Sequence, residues 1–238
     1  MPRVLITGAN RGIGYEFTKQ YSNDGWSVIA CCRDISSESS KDLRELGKKN
    51  NIISIEKMDM LSHDSINSIS EKYKSVPIDI IINNAGILGP IPIADNLDAG
   101  HFGTINYQNW ENVIKTNTFG PIKIAESFIG NIKLGDEKKI ITLSSTVGSF
   151  QESTVPSFCY STSKTAVTKA VQLLAEVLKD EKIISMAFCP GHVMTRMGWS
   201  GATVKTEDSV KGMRLIIKNL KITDTASFKR YNGETIAW

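Results

Sequence analysis

The sequence alternates short apolar runs with longer amphipathic stretches, and this alternation restricts the fold more than any other feature. Runs rich in Ile and Val predict strands at residues 3–7, 27–32, 52–57, 78–83, 140–144 and 183–188. Helical periodicity predicts helices at 13–23, 39–49, 64–73, 107–132, 161–180 and 206–219. Short, continuously apolar runs are typical of strands covered on both faces. The order of elements therefore predicts an α/β, Rossmann-type fold: a doubly wound parallel sheet with helices on both faces.

The chain's size and charge fit one domain spanning residues 1–238. With 238 residues and 41% hydrophobic residues, the chain can bury a large core. A net charge of +3 is too small to indicate a nucleic-acid or membrane partner. No apolar run approaches the roughly 18 residues needed to cross a bilayer, and no signal peptide is recognisable. We expect a cytoplasmic protein whose cysteines (Cys31, Cys32, Cys159 and Cys189) are reduced thiols, with no metal-ligand spacing.

Two stretches have weaker signals. A short seventh strand is predicted near residues 233–237. The longest irregular stretch covers residues 87–106 and contains several prolines and glycines. A loop of that length inside a compact domain is often functional.

A glycine-rich turn, Gly8-Ala9-Asn10-Arg11-Gly12-Ile13-Gly14, follows the first predicted strand and opens the first predicted helix. Glycine suits sharp backbone turns and the close approach of a pyrophosphate. The free N–H groups at a helix N-terminus attract phosphate. The turn predicts a dinucleotide site; the alternative is a tight strand–helix connection without a ligand.

The end of the second strand distinguishes NAD from NADP. An acidic residue at this point binds the ribose hydroxyls of NAD, whereas arginine binds the 2′-phosphate of NADP. Arg33 follows the strand directly, and Arg11 lies in the glycine turn. These guanidiniums favour NADP, while Asp34 is the residue that favours NAD. In the alternative interpretation both arginines are ordinary surface charges.

Tyr160 and Lys164 lie four residues apart in a predicted helix, so both project from one helical face. A lysine ammonium at this distance can lower the pKa of the phenol and make it a usable acid or base. Such pairs also occur by chance on many helices. Here a serine pair, Ser144-Ser145, ends the fifth strand upstream, and the glycine turn precedes both.

Taken in order, these motifs resemble the short-chain dehydrogenase/reductase family along essentially the whole chain. They are Thr7-Gly8-x-x-x-Gly12-x-Gly14, Asp59, Asn83-Asn84-Ala85-Gly86, Asn117, Ser145, Tyr160-x-x-x-Lys164 and Pro190-Gly191. Within the family the sequence is similar to NADP-dependent carbonyl reductases of the sniffer and C-factor type, on residues 30–34, 190–198 and 232–238. The one departure is a gap between Ser145 and Tyr160 about two residues longer than usual, at 151–156.

The resemblance implies a role for each matching residue. Tyr160 would be the acid/base, and Ser145, three residues before Gly148, would polarise the substrate oxygen. Lys164 would hydrogen-bond the nicotinamide ribose. Asn117 would hold the central helix and a water that links Lys164 to solvent. The implied cofactor-binding residues are Gly8, Asn10, Arg11, Gly12, Ile13, Gly14, Arg33, Asp59, Met60, Asn84, Ala85, Gly86, Tyr160, Lys164, Pro190, Gly191, Val193 and Thr195. Of these, Asp59 would contact adenine, Asn84 the adjoining ribose, and Pro190, Gly191 and Thr195 the nicotinamide carboxamide and pyrophosphate end.

The expected activity is hydride transfer from NADPH to a ketone or aldehyde, with a small carbonyl compound as substrate. Two alternatives remain open: an alcohol or steroid dehydrogenase working in the oxidative direction, and a non-catalytic NADP-dependent sensor of the same fold. Family resemblance also implies a homodimer or homotetramer formed through the helices at 107–132 and 161–180. Phe150, Leu88, Met194, Met197 and Trp199 are candidates for an apolar substrate pocket or for ordinary core.

Overall fold

We describe the protein from a computed structural model, which describes residues 1–89, 102–153, 157–198 and 201–238. Its described residues form one sheet from the strands β1 (Arg3–Thr7), β2 (Ser27–Cys32), β3 (Ile53–Lys57), β4 (Ile80–Asn83), β5 (Lys139–Leu143), β6 (Ile184–Cys189) and β7 (Phe228–Arg230). The strands lie in the order β3-β2-β1-β4-β5-β6-β7, and every neighbouring pair is parallel. The chain adds β2 and β3 on one side of β1 and then adds β4 to β7 on its other side, so the strand order switches between β1 and β4. Ligands of open α/β sheets bind at such a switch point.

The helices of the described part are α1 (Gly12–Asn23), α2 (Lys41–Lys49), α3 (His63–Lys72), α4 (Tyr107–Ile114), α5 (Gly120–Leu134), α6 (Phe158–Val177) and α7 (Thr206–Asn219). They cover both faces of the sheet, as the alternation of strands and helices predicts. Side chains of β1 alternate between the two cores: Val4 and Ile6 pack with Phe17 of α1, and Leu5 packs with Phe128 of α5. The doubly wound architecture is therefore confirmed.

The long helix predicted at 107–132 is interrupted. One π turn, Lys115–Phe119, joins α4 to α5 and contains the buried Asn117. A π turn bonds each N–H one residue farther back than an α-helix, and such turns are frequent at functional sites.

Other boundaries also differ from prediction. Ser62 caps α3 by accepting a hydrogen bond from the Ser65 N–H at 3.2 Å. Lys205, in extended backbone, is the residue that precedes α7. The seventh strand is Phe228–Arg230 rather than 233–237: Gly233 turns the chain with φ of +95°, and Thr235 forms only an isolated antiparallel bridge with Lys229. Of the predicted loop at 87–106, residues 90–101 lie outside the described residues.

Candidate active site

The crevice between β1 and β4 is held together by backbone and amide hydrogen bonds. The Thr7 hydroxyl accepts hydrogen bonds from the N–H groups of Asn84 (3.1 Å) and Ala85 (3.0 Å). The Asn84 side-chain amide donates to the carbonyl oxygens of Thr7 at 2.8 Å and Gly8 at 3.1 Å. Both hydrogen bonds that the Asn84 side chain donates therefore stabilise the glycine turn. The predicted contact of Asn84 with the cofactor ribose stays a prediction.

The glycine turn depends on residues without a Cβ. Gly8 and Gly12 have φ of +66° and +54°, values that L side chains rarely adopt. At Gly14 a Cβ would overlap the Gly8 carbonyl oxygen. Ile13 lies within the first turn of α1, which has neither a side-chain cap from Arg11 nor an acidic residue. The backbone N–H groups of this first turn are therefore available to an anion. This arrangement fits the phosphates of a dinucleotide.

The segment after β2 flanks this turn. The Asn10 amide donates to the Ser39 hydroxyl at 3.1 Å, which fastens the turn to that segment. Arg33 is exposed at the start of the segment. The Asp34 carboxylate accepts hydrogen bonds from the Ser36 hydroxyl (2.6 Å) and the Ser36 N–H (2.9 Å), and these lower the pKa of Asp34. The carboxylate that favoured NAD is thus engaged in a local turn.

The two serines after β5 have different environments. Ser145 begins the 3₁₀ turn Thr146–Gly148, and its hydroxyl is hydrogen-bonded to Tyr160. Ser144 is buried, and its hydroxyl lies 2.6 Å from that of Thr168. A Cβ at Gly148 would lie 2.8 Å from the Lys164 carbonyl oxygen, so only glycine lets this turn approach α6. Ser145, the predicted member of the pair, is the one beside Tyr160.

Lys164 follows Tyr160 by one turn of α6. Its ammonium nitrogen lies 5.6 Å from the centre of the Tyr160 ring and donates a hydrogen bond to the Leu143 carbonyl oxygen at 2.7 Å. The side chain is buried, and burial lowers the pKa of Lys164 to about 8. At neutral pH the residue can both hold and release a proton.

The pKa of Tyr160 shifts in the direction opposite to prediction. Burial raises it above its ordinary value, Cys189 raises it further, and the hydrogen bond with Ser145 lowers it. The predicted lowering by Lys164 does not appear, because the lowered pKa of Lys164 leaves its amine neutral at the pH where the phenol ionises. The phenol therefore holds its proton firmly, as a proton donor must before reaction.

Asn117 fastens a neighbouring segment to the site. Its amide oxygen accepts a hydrogen bond from the Ile87 N–H at 2.8 Å, and its nitrogen donates to the Ile87 carbonyl oxygen at 2.8 Å. The same nitrogen donates to the Ser163 hydroxyl on α6 at 2.9 Å. A Cβ at Gly86 would lie 3.6 Å from the Lys164 nitrogen. Asn117 thus joins the end of β4 to the helix that carries Tyr160.

The segment after β6 closes one side of the crevice. The Pro190 carbonyl oxygen accepts a hydrogen bond from the Ser209 hydroxyl at 2.6 Å, and Gly191 has φ of +85°. Val193 is buried, and the Thr195 methyl group would lie 3.3 Å from a Cβ at Gly12. All four predicted residues therefore lie on a segment that reaches the glycine turn.

Asp59 and Met60 follow β3, at the edge of the sheet beyond β2. The Asp59 carboxylate accepts a hydrogen bond from the Leu61 N–H at 3.0 Å, and its own N–H donates to the Ser65 hydroxyl at 3.0 Å. Met60 is buried, and a Cβ at Gly120 would lie 3.3 Å from its own Cβ. The adenine contact of Asp59 and the cofactor-binding role of Met60 stay predictions.

The substrate side is built from loops. Phe150 is 85% exposed and Met194 is 56% exposed, so neither belongs to the core. Leu88 and Met197 are partly buried. Trp199 and residues 154–156 of the lengthened gap lie outside the described residues. The Glu152 carboxylate, within that gap, pairs with Arg230 at 2.5 Å and accepts a hydrogen bond from the Ala237 N–H at 2.8 Å.

The described residues offer neither a metal-ion site nor a membrane-spanning helix. No group of three or more His, Cys, Asp or Glu side chains in this part of the chain could hold a metal ion. Nor does any described helix combine the length and apolar character needed to cross a bilayer.

The model of the short chain dehydrogenase family matches residues 2–205. The chain belongs to this family. Among curated relatives it is similar to (+)-neomenthol dehydrogenase of Arabidopsis thaliana, with 35% identity over 159 residues, which are 61% of this chain and 54% of that protein. It is also similar to C-signal of Myxococcus xanthus, with 28% identity over 163 residues, covering 68% of this chain and 93% of that protein.

Two solved structures match this short-chain dehydrogenase over its whole length. NADPH-bound carbonyl reductase from chicken fatty liver has a TM-score of 0.90 and 27% identity, with 100% of this chain and 99% of that chain covered. The carbonyl reductase Sniffer of D. melanogaster has a TM-score of 0.89 and 27% identity, with 100% of both chains covered. The predicted resemblance to the sniffer and C-factor type is therefore confirmed.

Proposed function

We propose that this short-chain dehydrogenase is an NADPH-dependent carbonyl reductase that reduces a ketone or aldehyde, with Tyr160 as the proton donor. The observation that carries the proposal is the hydrogen-bonded pair of Tyr160 and Ser145 beside the buried Lys164. The structural similarity to an NADPH-bound carbonyl reductase supports the choice of cofactor and of reaction. Arg11 and Arg33 beside the glycine turn support NADP over NAD.

Ser145 and Tyr160 act directly on the substrate oxygen in this proposal. The nicotinamide cofactor, when bound, supplies the hydride. Ser145 donates its hydroxyl hydrogen to the substrate oxygen and holds it next to Tyr160. Tyr160 then gives its proton to that oxygen as negative charge develops there.

Lys164 and Asn117 act behind the tyrosine. With a pKa of about 8, the Lys164 ammonium can return a proton to the phenolate after reduction. Lys164 also binds the nicotinamide ribose in this proposal. Asn117 keeps the end of β4 against α6 through its bonds to Ile87 and Ser163. These bonds fix the distance between the end of β4 and the helix that carries Tyr160.

The most direct test measures NADPH consumption with a panel of quinones, isatin, diketones and aromatic aldehydes. The same panel with NADH, and a blank without a carbonyl compound, complete the measurement. Turnover with NADPH at a rate above that with NADH supports the proposal. Tight NADPH binding without turnover of any substrate, in either direction, would favour a nucleotide sensor instead.

We also propose a homodimer or homotetramer in the cytoplasm. Leu173 and Val177 of α6 are 55% and 76% exposed, and Phe119, between α4 and α5, is 52% exposed. Apolar side chains exposed on neighbouring helices are typical of subunit interfaces. Light scattering coupled to size exclusion tests this assembly; a monomer at micromolar concentration would contradict it.

A further inference from the structure

Three guanidiniums from separate segments surround the glycine turn. Arg11 is the residue that precedes α1, Arg33 follows β2, and Arg196 lies on the segment after β6. All three are exposed. The sequence motifs indicate the first two as phosphate ligands. They do not indicate Arg196, because its position depends on where the segment after β6 folds.

Backbone packing brings Arg196 to the turn. Thr195, its neighbour, would touch a Cβ on Gly12, the residue next to Arg11, at 3.3 Å. The Thr195 hydroxyl accepts a hydrogen bond from the Gly198 N–H at 3.2 Å, and the Met194 N–H donates to the Val204 carbonyl oxygen at 2.9 Å. A local hydrogen bond therefore spans Arg196, a second one ties Met194 to Val204, and the segment passes close to the N-terminus of α1.

The three cations repel one another. Desolvation first, and then the charges of Arg196 and Arg33, lower the pKa of Arg11. Within the described ranges, no carboxylate oxygen lies within 4.0 Å of any of the three guanidiniums. Asp34, the acidic residue next to Arg33, instead accepts hydrogen bonds from Ser36. An anion of two or more charges would relieve this repulsion.

We propose that Arg196 is a third phosphate-binding residue of the cofactor site, whose guanidinium fastens the segment after β6 to a phosphate of the dinucleotide. This inference rests on the proposed function, because it assumes that the crevice binds NADPH. Guanidinium groups bind phosphate through two parallel hydrogen bonds, which a lysine cannot reproduce. NADPH offers two phosphate groups at this end of the site: the pyrophosphate over α1 and the 2′-phosphate toward Arg33.

The test is direct binding of NADPH and NADH to Arg196→Ala and Arg196→Lys, measured by fluorescence titration. Loss of a charge-assisted hydrogen bond should weaken binding about 10- to 100-fold in Arg196→Ala. Arg196→Lys should recover part of this loss, because it restores the charge without the paired hydrogen bonds. The thermal unfolding midpoint without cofactor should not change, since Arg196 is exposed and pairs with no carboxylate among the described residues.

Lys218→Ala is the matched control. This exposed lysine is the penultimate residue of α7 and lies at the end of the strands opposite the crevice, where the adjacent Ile217 carbonyl oxygen accepts a hydrogen bond from Lys139, the first residue of β5. The substitution removes one positive charge far from the crevice and should leave the affinities for NADPH and NADH unchanged.

Either pattern of loss supports the inference and identifies the phosphate. Equal weakening of NADPH and NADH assigns Arg196 to the pyrophosphate, and weakening of NADPH alone assigns it to the 2′-phosphate. Unchanged affinity for both dinucleotides in Arg196→Ala would overturn the inference while leaving the proposed function intact. A wild-type protein that binds neither dinucleotide would overturn both.

Discussion

The two sides of the crevice are built by different means. The phosphate side consists of glycines, backbone N–H groups and exposed guanidiniums around Gly8, Gly12 and Gly14. The catalytic side consists of enclosed side chains: Lys164 is buried, and the Tyr160 hydroxyl is bonded to Ser145. One side therefore offers a ligand space and backbone N–H donors, whereas the other shifts pKa values by excluding water.

We expect the largest loss of NADPH binding from a substitution that fills the space inside the glycine turn. Gly14→Ala would place a Cβ on the Gly8 carbonyl oxygen and against the Asn84 amide. We expect NADPH binding to fall by more than about 100-fold, with a lower thermal unfolding midpoint, because backbone cannot shift cheaply. Titration and calorimetry measure these effects.

Gly130→Ala is the matched control for that substitution. Gly130 is exposed in α5, and its Cβ would meet nothing within 4 Å. Alanine should stabilise the protein by roughly 0.5–1 kcal/mol through helix propensity and leave NADPH affinity unchanged. Equal losses in the two variants would contradict a space-filling role for Gly14.

The second prediction concerns the catalytic side. Ser145→Ala removes the hydroxyl that bonds Tyr160 and should lower kcat about 10²- to 10³-fold, as loss of one oxyanion donor does. Ser144→Ala should instead cost about 1 kcal/mol of stability, since its hydroxyl bonds Thr168 and the Lys164 carbonyl oxygen within the fold. A larger kcat loss in Ser144→Ala would reverse their assignment.

Burial of Lys164 makes stability depend on pH. Its pKa falls from 10.5 to about 8 in the folded protein. As pH falls through this window, the unfolded chain binds a proton that the folded protein does not. Relative to Lys164→Met, wild type should lose about 3 kcal/mol of unfolding free energy across the window. The difference should become constant below about pH 8. Denaturant titrations across the window measure it; a difference independent of pH would contradict the buried charge.

The smallest expected effect is on cofactor choice. Arg33→Asp should reduce the preference for NADPH over NADH by about 10-fold or more, because a carboxylate repels the 2′-phosphate. The ratio of kcat/KM for the two cofactors measures this. An unchanged ratio would mean that Arg33 does not contact that phosphate.

The sequence predicts the parts of the molecule that depend on local pattern. Strands β1 and β2 and helix α7 begin and end at the predicted residues, because apolar periodicity and the glycine turn are local signals. The π turn at Lys115–Phe119 was missed, since its shifted hydrogen bonds leave the apolar pattern almost unchanged.

The missed features of the site depend on tertiary packing. The four-residue spacing of Tyr160 and Lys164 predicts a shared face but not the burial that raises one pKa and lowers the other. Arg196 could not be recognised either, because only the folded segment after β6 brings it beside Arg11. The position of β7 depends on pairing with β6, which is equally nonlocal.

A comparison of NADPH affinity with carbonyl turnover in Tyr160→Phe tests whether Tyr160 is the proton donor. This variant keeps the ring beside Lys164 and removes only the hydroxyl that bonds Ser145. We predict a dissociation constant within about twofold of wild type and a kcat lowered about 10²- to 10⁴-fold, the usual contribution of a positioned proton donor. Turnover at the wild-type rate would remove Tyr160 from the reaction and contradict the account.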